Sequence, residues 1–134
     1  KEHLLPLVES GQLKSIEISS APNIANSVLG FGILLVDGHT DKPKLPHITY
    51  NGRTLVFMAD LLPTAGHIPV PYIMGYDTRP LITLSEKAAF MKRAADTNFY
   101  LFMEHDAHNE ICTVKHTEKG KRLDKTYTFN EVYT

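Results

Sequence analysis

Three short apolar runs in this sequence end in residues that can bind a cation. Leu34-Leu35-Val36 precedes Asp37-Gly38-His39-Thr40, residues 54–59 precede Asp60, and residues 99–103 precede Glu104-His105-Asp106. A run rich in Leu, Val and Phe reads as a buried strand, and a carboxylate or imidazole is tolerated at its end, where the chain leaves the core. Imidazole and carboxylate are the usual ligands of zinc, iron and manganese in such places. Three strands that each end in His or Asp therefore predict a metal site carried on loops at one edge of a sheet.

The clearest positioning signal is Asn51-Gly52 between the β-prone runs 47–50 and 53–58. It is the favoured two-residue turn, because both central residues must reach positive φ, and the hairpin it closes delivers Asp60. Residues 2–10 have helical spacing in Leu4, Leu5 and Val8, closed by Gly11. Residues 14–19 alternate, which predicts a strand with Ile16 and Ile18 inward, and residues 21–26 read as a turn. Residues 28–36 read as one or two strands broken near Gly30 and Gly32, and residues 41–46, with two prolines, as a loop. The stretch 61–80 is rich in Pro and Gly yet holds Tyr72, Met74 and Tyr76, and so apolar a long loop is usually functional. Thr83-Leu84-Ser85-Glu86 has the pattern of a capping box. The helix it would start puts Leu84, Ala88, Met91 and Ala95 on one stripe, with Lys87, Lys92 and Arg93 outside it. Strands at 99–103, 111–117 and 122–129 complete an α+β chain with a mixed sheet.

At 134 residues the chain is one domain at most, and 43% hydrophobic with 22% charged residues allows an ordinary globular core. A net charge of -1 argues against nucleic acid and against an anionic membrane surface as partners. The single cysteine, Cys112, excludes an internal disulfide and a Cys-rich zinc framework. No apolar run approaches the roughly 20 residues that cross a bilayer, and there is no signal-peptide pattern. These features predict a soluble, cytoplasmic protein. The chain begins at Lys1, already inside the helical pattern, which reads as part of something longer.

In order and rough spacing, Asp37-Gly38-His39-Thr40, Phe57-Met58-Ala59-Asp60 and Glu104-His105-Asp106 resemble the later motifs of metallo-β-lactamase-fold hydrolases. The resemblance covers nearly the whole chain but only the C-terminal half of that fold. It implies half of a four-layer αββα sandwich, a mixed sheet with flanking helices, with residues 1–134 as the C-terminal part of the domain. It also implies one or two divalent metal ions, zinc in the first place and iron or manganese otherwise. Carried over by position, His39 is implied as a ligand of one metal, His105 as a ligand of the other, and Asp60 as the bridging, catalytic carboxylate. The family's first motif, His-x-His-x-Asp-His, does not occur here, which leaves each ion two protein ligands where catalytic zinc normally has three. The implied partner is the N-terminal half of the same fold or a second copy of the chain. The implied reaction is attack of a metal-activated water on an ester, lactone, thioester or lactam carbonyl of a small-molecule substrate. Lactonases of the fold carry a tyrosine three residues after the bridging aspartate, a position held here by Pro63. The pocket would instead be shaped by His67, Tyr72, Tyr76 and Asp77, with the first three binding substrate.

Each residue also has a plainer reading. His39 fits a turn histidine, and Asp60 a turn cap. His108 is the alternative ligand to His105, and His67 reads equally as a hydrogen-bonded loop histidine. Tyr72 and Tyr76 fit loop packing, His47 a structural role, and His3 and His116 the surface. Cys112 reads as a buried, inert thiol. For the whole chain, the alternative to a hydrolase is a non-catalytic half-domain that pairs through exposed strand edges.

Overall fold

The computed structural model describes residues 2–14, 23–24 and 30–134. The strand expected at 15–19 with Ile16 and Ile18, and most of the turn and strand expected at 21–29, lie outside the described residues. Seven strands occur among them, neighbours in the sheet in chain order: β1 (Asn23–Ile24), β2 (Gly32–Leu35), β3 (Lys44–Tyr50), β4 (Arg53–Phe57), β5 (Tyr100–Phe102), β6 (Ile111–Thr117) and β7 (Gly120–Tyr127). Every pair is antiparallel except β4 with β5, where Leu55 faces Tyr100 and Phe57 faces Phe102. A parallel pair needs a long crossover, and the segment 58–99, with helix α2 (Pro80–Thr97), supplies it. The turn between β3 and β4 has Asn51 at φ 48° and Gly52 at φ 73°, as an Asn-Gly hairpin requires.

The core lies between one face of this sheet and α2. Val56 and Leu101, both fully buried, pack there with Val36, Leu45, Met58, Phe90, Met91, Ala94, Cys112 and Val114. Burial of side chains of this size contributes about 1.5–3 kcal/mol each. Strand alternation sends Leu55, Phe57, Tyr100 and Phe102 to the opposite face, where they are only half-buried. Rings there pack on one another, Phe57 with Phe102 at 6.0 Å and Tyr100 with Tyr127 at 5.4 Å between centroids. The described chain is thus an α+β arrangement of a mixed sheet and a covering helix. Two short helices, α1 (Leu5–Glu9) and α3 (Phe129–Tyr133), lie near the ends.

Four local expectations are corrected. Helix α2 starts at Pro80, with Arg79 rather than Thr83 at its N-cap. Thr83 is buried within the helix and Glu86 reaches another loop altogether, so the capping-box pattern is not used as one. Consequently the buried stripe is Thr83, Lys87, Phe90, Met91 and Ala94, which turns Lys87 inward and leaves Ala88 exposed. A working capping box does occur at Thr128 and Glu131, across the end of the strand expected at 122–129, and it starts α3. Last, β3 begins at Lys44 and so takes in residues expected to form a loop. Pro46 pairs there with Ile33, one residue before the β3–β4 ladder begins at His47, so it interrupts no rung on that side.

Cys112 is fully buried, and burial pushes its thiol up to about 12, with the Asp106 charge adding to the shift. The thiolate is the reactive form. Native protein at pH 8 is therefore expected to give no colour with an aromatic disulfide reagent, and one thiol per chain once unfolded in urea. Rapid labelling of the native protein would contradict this packing.

Candidate functional site

Asp60 stands just past β4, in a tight 3-10 turn over Ala59–Leu61. Met58, Leu61 and Leu62 around it are buried, and the Met58 N–H donates to the Phe102 carbonyl at 3.0 Å. The preceding residue, Ala59, is held at φ 43°, in the left-handed region. For a residue with a Cβ that conformation costs roughly 1–2 kcal/mol, and such strain collects where a side chain must be aimed.

His39 lies on the loop after β2, and α2 grips that loop. The Glu86 carboxylate accepts the Asp37 N–H at 2.7 Å and the Gly38 N–H at 3.1 Å. Desolvation raises the Glu86 pKa, and those two donors oppose the rise. Arg79 donates from Nε to the Asp37 carbonyl at 2.6 Å and from Nη2 to the Thr40 carbonyl at 2.7 Å. Thr78 donates its N–H and its hydroxyl to the His39 carbonyl, at 3.1 and 2.8 Å. His105 is fixed from another side. Its N–H donates to the Pro63 carbonyl at 3.2 Å, while Asp106 accepts the N–H groups of Ala65, His108 and Asn109. Desolvation would raise the Asp106 pKa, but these donors and the Asn109 amide outweigh it and hold the carboxyl down to about 2.

These three loops converge. Asp60 turns Oδ2 toward His39 Nε2 at 3.4 Å and Oδ1 toward His105 Nε2 at 3.3 Å. On its far side, His39 Nδ1 lies 2.9 Å from Oδ1 of Asp77, whose side chain is 1% exposed. A carboxylate only accepts, so Nδ1 donates its proton to Asp77, which leaves Nε2, the atom turned toward Asp60, as the nitrogen that could ligate a metal. At 3.4 Å this pair is longer than a charge-assisted hydrogen bond. The same spacing suits two ligands of one cation: bonds of about 2.0–2.1 Å at tetrahedral angles put ligand atoms about 3.3 Å apart. The donor set thus fits a divalent metal on each side of the Asp60 carboxylate. Glu104 adds a third ligand atom near Asp60 and His105, all within 4.8 Å of one another.

The structure therefore brings His39, Asp60 and His105 together. His67 and Tyr76 line a cleft of about 340 Å³ beside His105, walled by Pro63, Thr64, Ile73, Met74 and Gly75. Tyr76 also sets its ring edge-on to His39, 6.0 Å between centroids. Tyr72 is 60% exposed and is not among the cleft-lining residues. His108 is exposed and contributes its N–H to Asp106.

Sequence reading missed the ligand potential of Glu104, the grip of Glu86 and the burial of Lys87. Lys87 is 1% exposed, and its ammonium donates to the carbonyls of Pro69 at 3.2 Å and Tyr72 at 2.7 Å, fastening the loop that runs between the cleft residues His67 and Ile73. Burial brings its pKa down to about 8, against the pull of the Asp77 charge. The one signal for Glu104 was its position next to His105. Nothing local marks Glu86 or Lys87, since their partners lie on other loops.

Solved structures of similar shape decide the fold. AidC, a dizinc quorum-quenching lactonase solved with its product, aligns over 96% of this chain with a TM-score of 0.70 and 21% identity. The hydrolase AbOPH of the beta lactamase superfamily aligns over 93% with a TM-score of 0.75 and 14% identity. A probable metal-dependent hydrolase from Staphylococcus aureus aligns over 87% with a TM-score of 0.67 and 22% identity. The chain has the metallo-β-lactamase fold. It spans only 44%, 42% and 40% of those three proteins, so it accounts for less than half of each. Its sheet with α2 on one face is correspondingly half of the metallo-β-lactamase sandwich. No protein-family profile matches the sequence, and no curated protein does. Among the described residues, no helix is long and apolar enough to cross a membrane.

Proposed function

We propose that this chain is the C-terminal half of a metal-dependent hydrolase acting on an ester, lactone, thioester or lactam carbonyl. One observation carries the reading: the Asp60 carboxylate offers one oxygen to each of two imidazoles, at 3.4 and 3.3 Å, and Asp77 lies 2.9 Å from His39 Nδ1 on the far side. His39 and Asp60 would hold one divalent ion, and His105 and Asp60 the other, with Glu104 beside the second. Zinc, iron and manganese all suit these ligands. A bound divalent cation supplies Lewis acidity here and brings the pKa of a water close to neutrality. The protein's own residues do the positioning. Asp60 sets the spacing of the two imidazoles, Asp77 orients His39, and the cleft walled by Pro63, Ile73, Met74 and Tyr76 receives the substrate beside His105.

Two protein ligands per ion are fewer than catalytic zinc normally has. The remaining ligands would come from an N-terminal half of the fold, or from a second copy of the chain. Such a partner would cover the half-buried outer face of the sheet, where Phe57, Phe102, Tyr100 and Tyr127 lie. Calorimetric zinc titration with elemental analysis tests this. The chain alone is expected to bind zinc at roughly micromolar affinity or weaker, and the protein with its fold completed to bind it far more tightly. A completed protein that takes up no metal, or a monomeric chain that binds zinc tightly unaided, would overturn the reading.

A second reading, a pairing module without catalysis, is favoured by α1 and its flank, where Leu4, Leu5 and Val8 are 56%, 55% and 55% exposed. A stripe of that kind usually meets a partner. Stable dimers by light scattering, with no metal under any condition, would support it.

A further inference from the structure

We propose that His67 is a catalytic residue of the cleft, donating a hydrogen bond from Nε2–H to the leaving-group oxygen of the substrate. This rests on the hydrolase reading. Breaking a carbonyl C–O bond puts negative charge on the departing oxygen, and an alkoxide leaves slowly unless a donor stands beside it. The cleft offers few donors. Pro63, Ile73, Met74 and Gly75 have none in their side chains, and His105 faces Asp60. Tyr76 is 72% exposed and stands edge-on to His39. Thr64 is engaged with His67 itself, its Oγ1 lying 2.8 Å from His67 Nδ1.

The placement of His67 is as firm as that of His105, because one wall carries both. The His67 N–H donates to the Thr64 carbonyl at 3.0 Å. The turn they share is bound to the His105 loop by His105 N–H to the Pro63 carbonyl at 3.2 Å and by Ala65 N–H to Asp106 at 2.9 Å. Nδ1 is taken up by the Thr64 hydroxyl, which leaves Nε2 as the ring nitrogen free to serve the cleft; the proposed role requires the Thr64 hydroxyl to be the donor in that pair and the ring proton to sit on Nε2. Burial lowers the His67 pKa, and the Lys87 charge lowers it further against the opposing pull of Asp77. The ring is therefore neutral at physiological pH and acts as a donor without giving up its proton. In the balance of the step, water oxygen bonds to the carbonyl carbon, the C–O bond breaks, and a proton of that water ends on the leaving oxygen.

The test compares leaving groups in the zinc-loaded protein with its fold completed. His67→Ala is expected to slow hydrolysis of δ-valerolactone, whose alkoxide leaves poorly, by about 100-fold. Hydrolysis of p-nitrophenyl acetate, whose leaving group needs no donor, is expected to fall by less than about threefold, with zinc content unchanged. Equal losses on both esters would overturn the role and leave the hydrolase reading standing. Nitrogen-15 spectra of the imidazoles give a readout independent of turnover: the Nε2–H tautomer at His67 is expected, and Nδ1–H would overturn the proposal. A wild-type protein with neither zinc nor turnover would overturn both readings together.

Discussion

Asp60→Asn is expected to lower turnover by about 1,000-fold or more while the protein stays folded. The asparagine keeps one carbonyl oxygen and replaces the other with an amide NH2, which cannot ligate a metal. Since Oδ2 faces His39 and Oδ1 faces His105, either orientation of the amide turns N–H groups toward one of the imidazoles. One ion loses its shared ligand while the other keeps it, so elemental analysis should find fewer ions per chain without complete loss. The side chain is 30% exposed, so a neutral side chain of the same shape disturbs no packing and the thermal midpoint should change little. Full activity with full metal content would remove Asp60 from the centre of the site. The turn around it is built for aim: Ala59 accepts a left-handed backbone, and buried Met58, Leu61 and Leu62 offset that cost.

Gly38→Ala is expected to be the most damaging small change to the architecture. A Cβ on Gly38 would lie 2.2 Å from the Thr83 hydroxyl, 2.3 Å from the Thr83 backbone nitrogen and 2.5 Å from its Cα. Two of those three atoms belong to the backbone of α2, so the loop must withdraw. Withdrawal strains the hydrogen bonds from Asp37 and Gly38 to Glu86 and those between Arg79 and the loop carbonyls. The loss of stability is expected at about 2–4 kcal/mol, read as a lower urea midpoint. Zinc affinity should fall by about 10–100-fold, because this loop orients His39. Thr83→Ala in the same chain should not rescue it, since it leaves the two backbone contacts in place. Gly75→Ala, where a Cβ would meet nothing within 4 Å, is the neutral control. A Gly38→Ala protein with the wild-type midpoint would refute the close approach of this loop to α2.

The sequence carried the parts of this site that are written locally. A strand announces itself by its apolar run, and its end by the first group that needs water or a partner, so the chain positions of His39, Asp60 and His105 were legible. The Asn51-Gly52 turn was legible for the same reason, since its backbone demand belongs to those two residues alone. Helix α2 was legible as a helix but not in rotation. Lys87 looked like a surface residue because lysine is almost always one, and the carbonyls of Pro69 and Tyr72, folded over it, together with the Asp77 charge, make its burial tolerable. Glu86 looked like a cap because a Thr stood three residues before it. The start of the helix at Pro80 freed that carboxylate for the backbone of the His39 loop.

What the sequence determined by itself, then, was the donor types and the strand ends that carry them, because donor type and apolar runs are properties of the residues. Tertiary structure alone decided that Asp60 faces both imidazoles, one with each oxygen, and that Asp77, thirty-eight positions beyond His39, pairs with the far nitrogen of that ring. Those facts depend on how three loops are brought to one edge by a parallel strand pair and a crossover helix. No stretch of sequence holds that distance information, because the atoms that fix it are contributed by segments that meet only when the chain is folded.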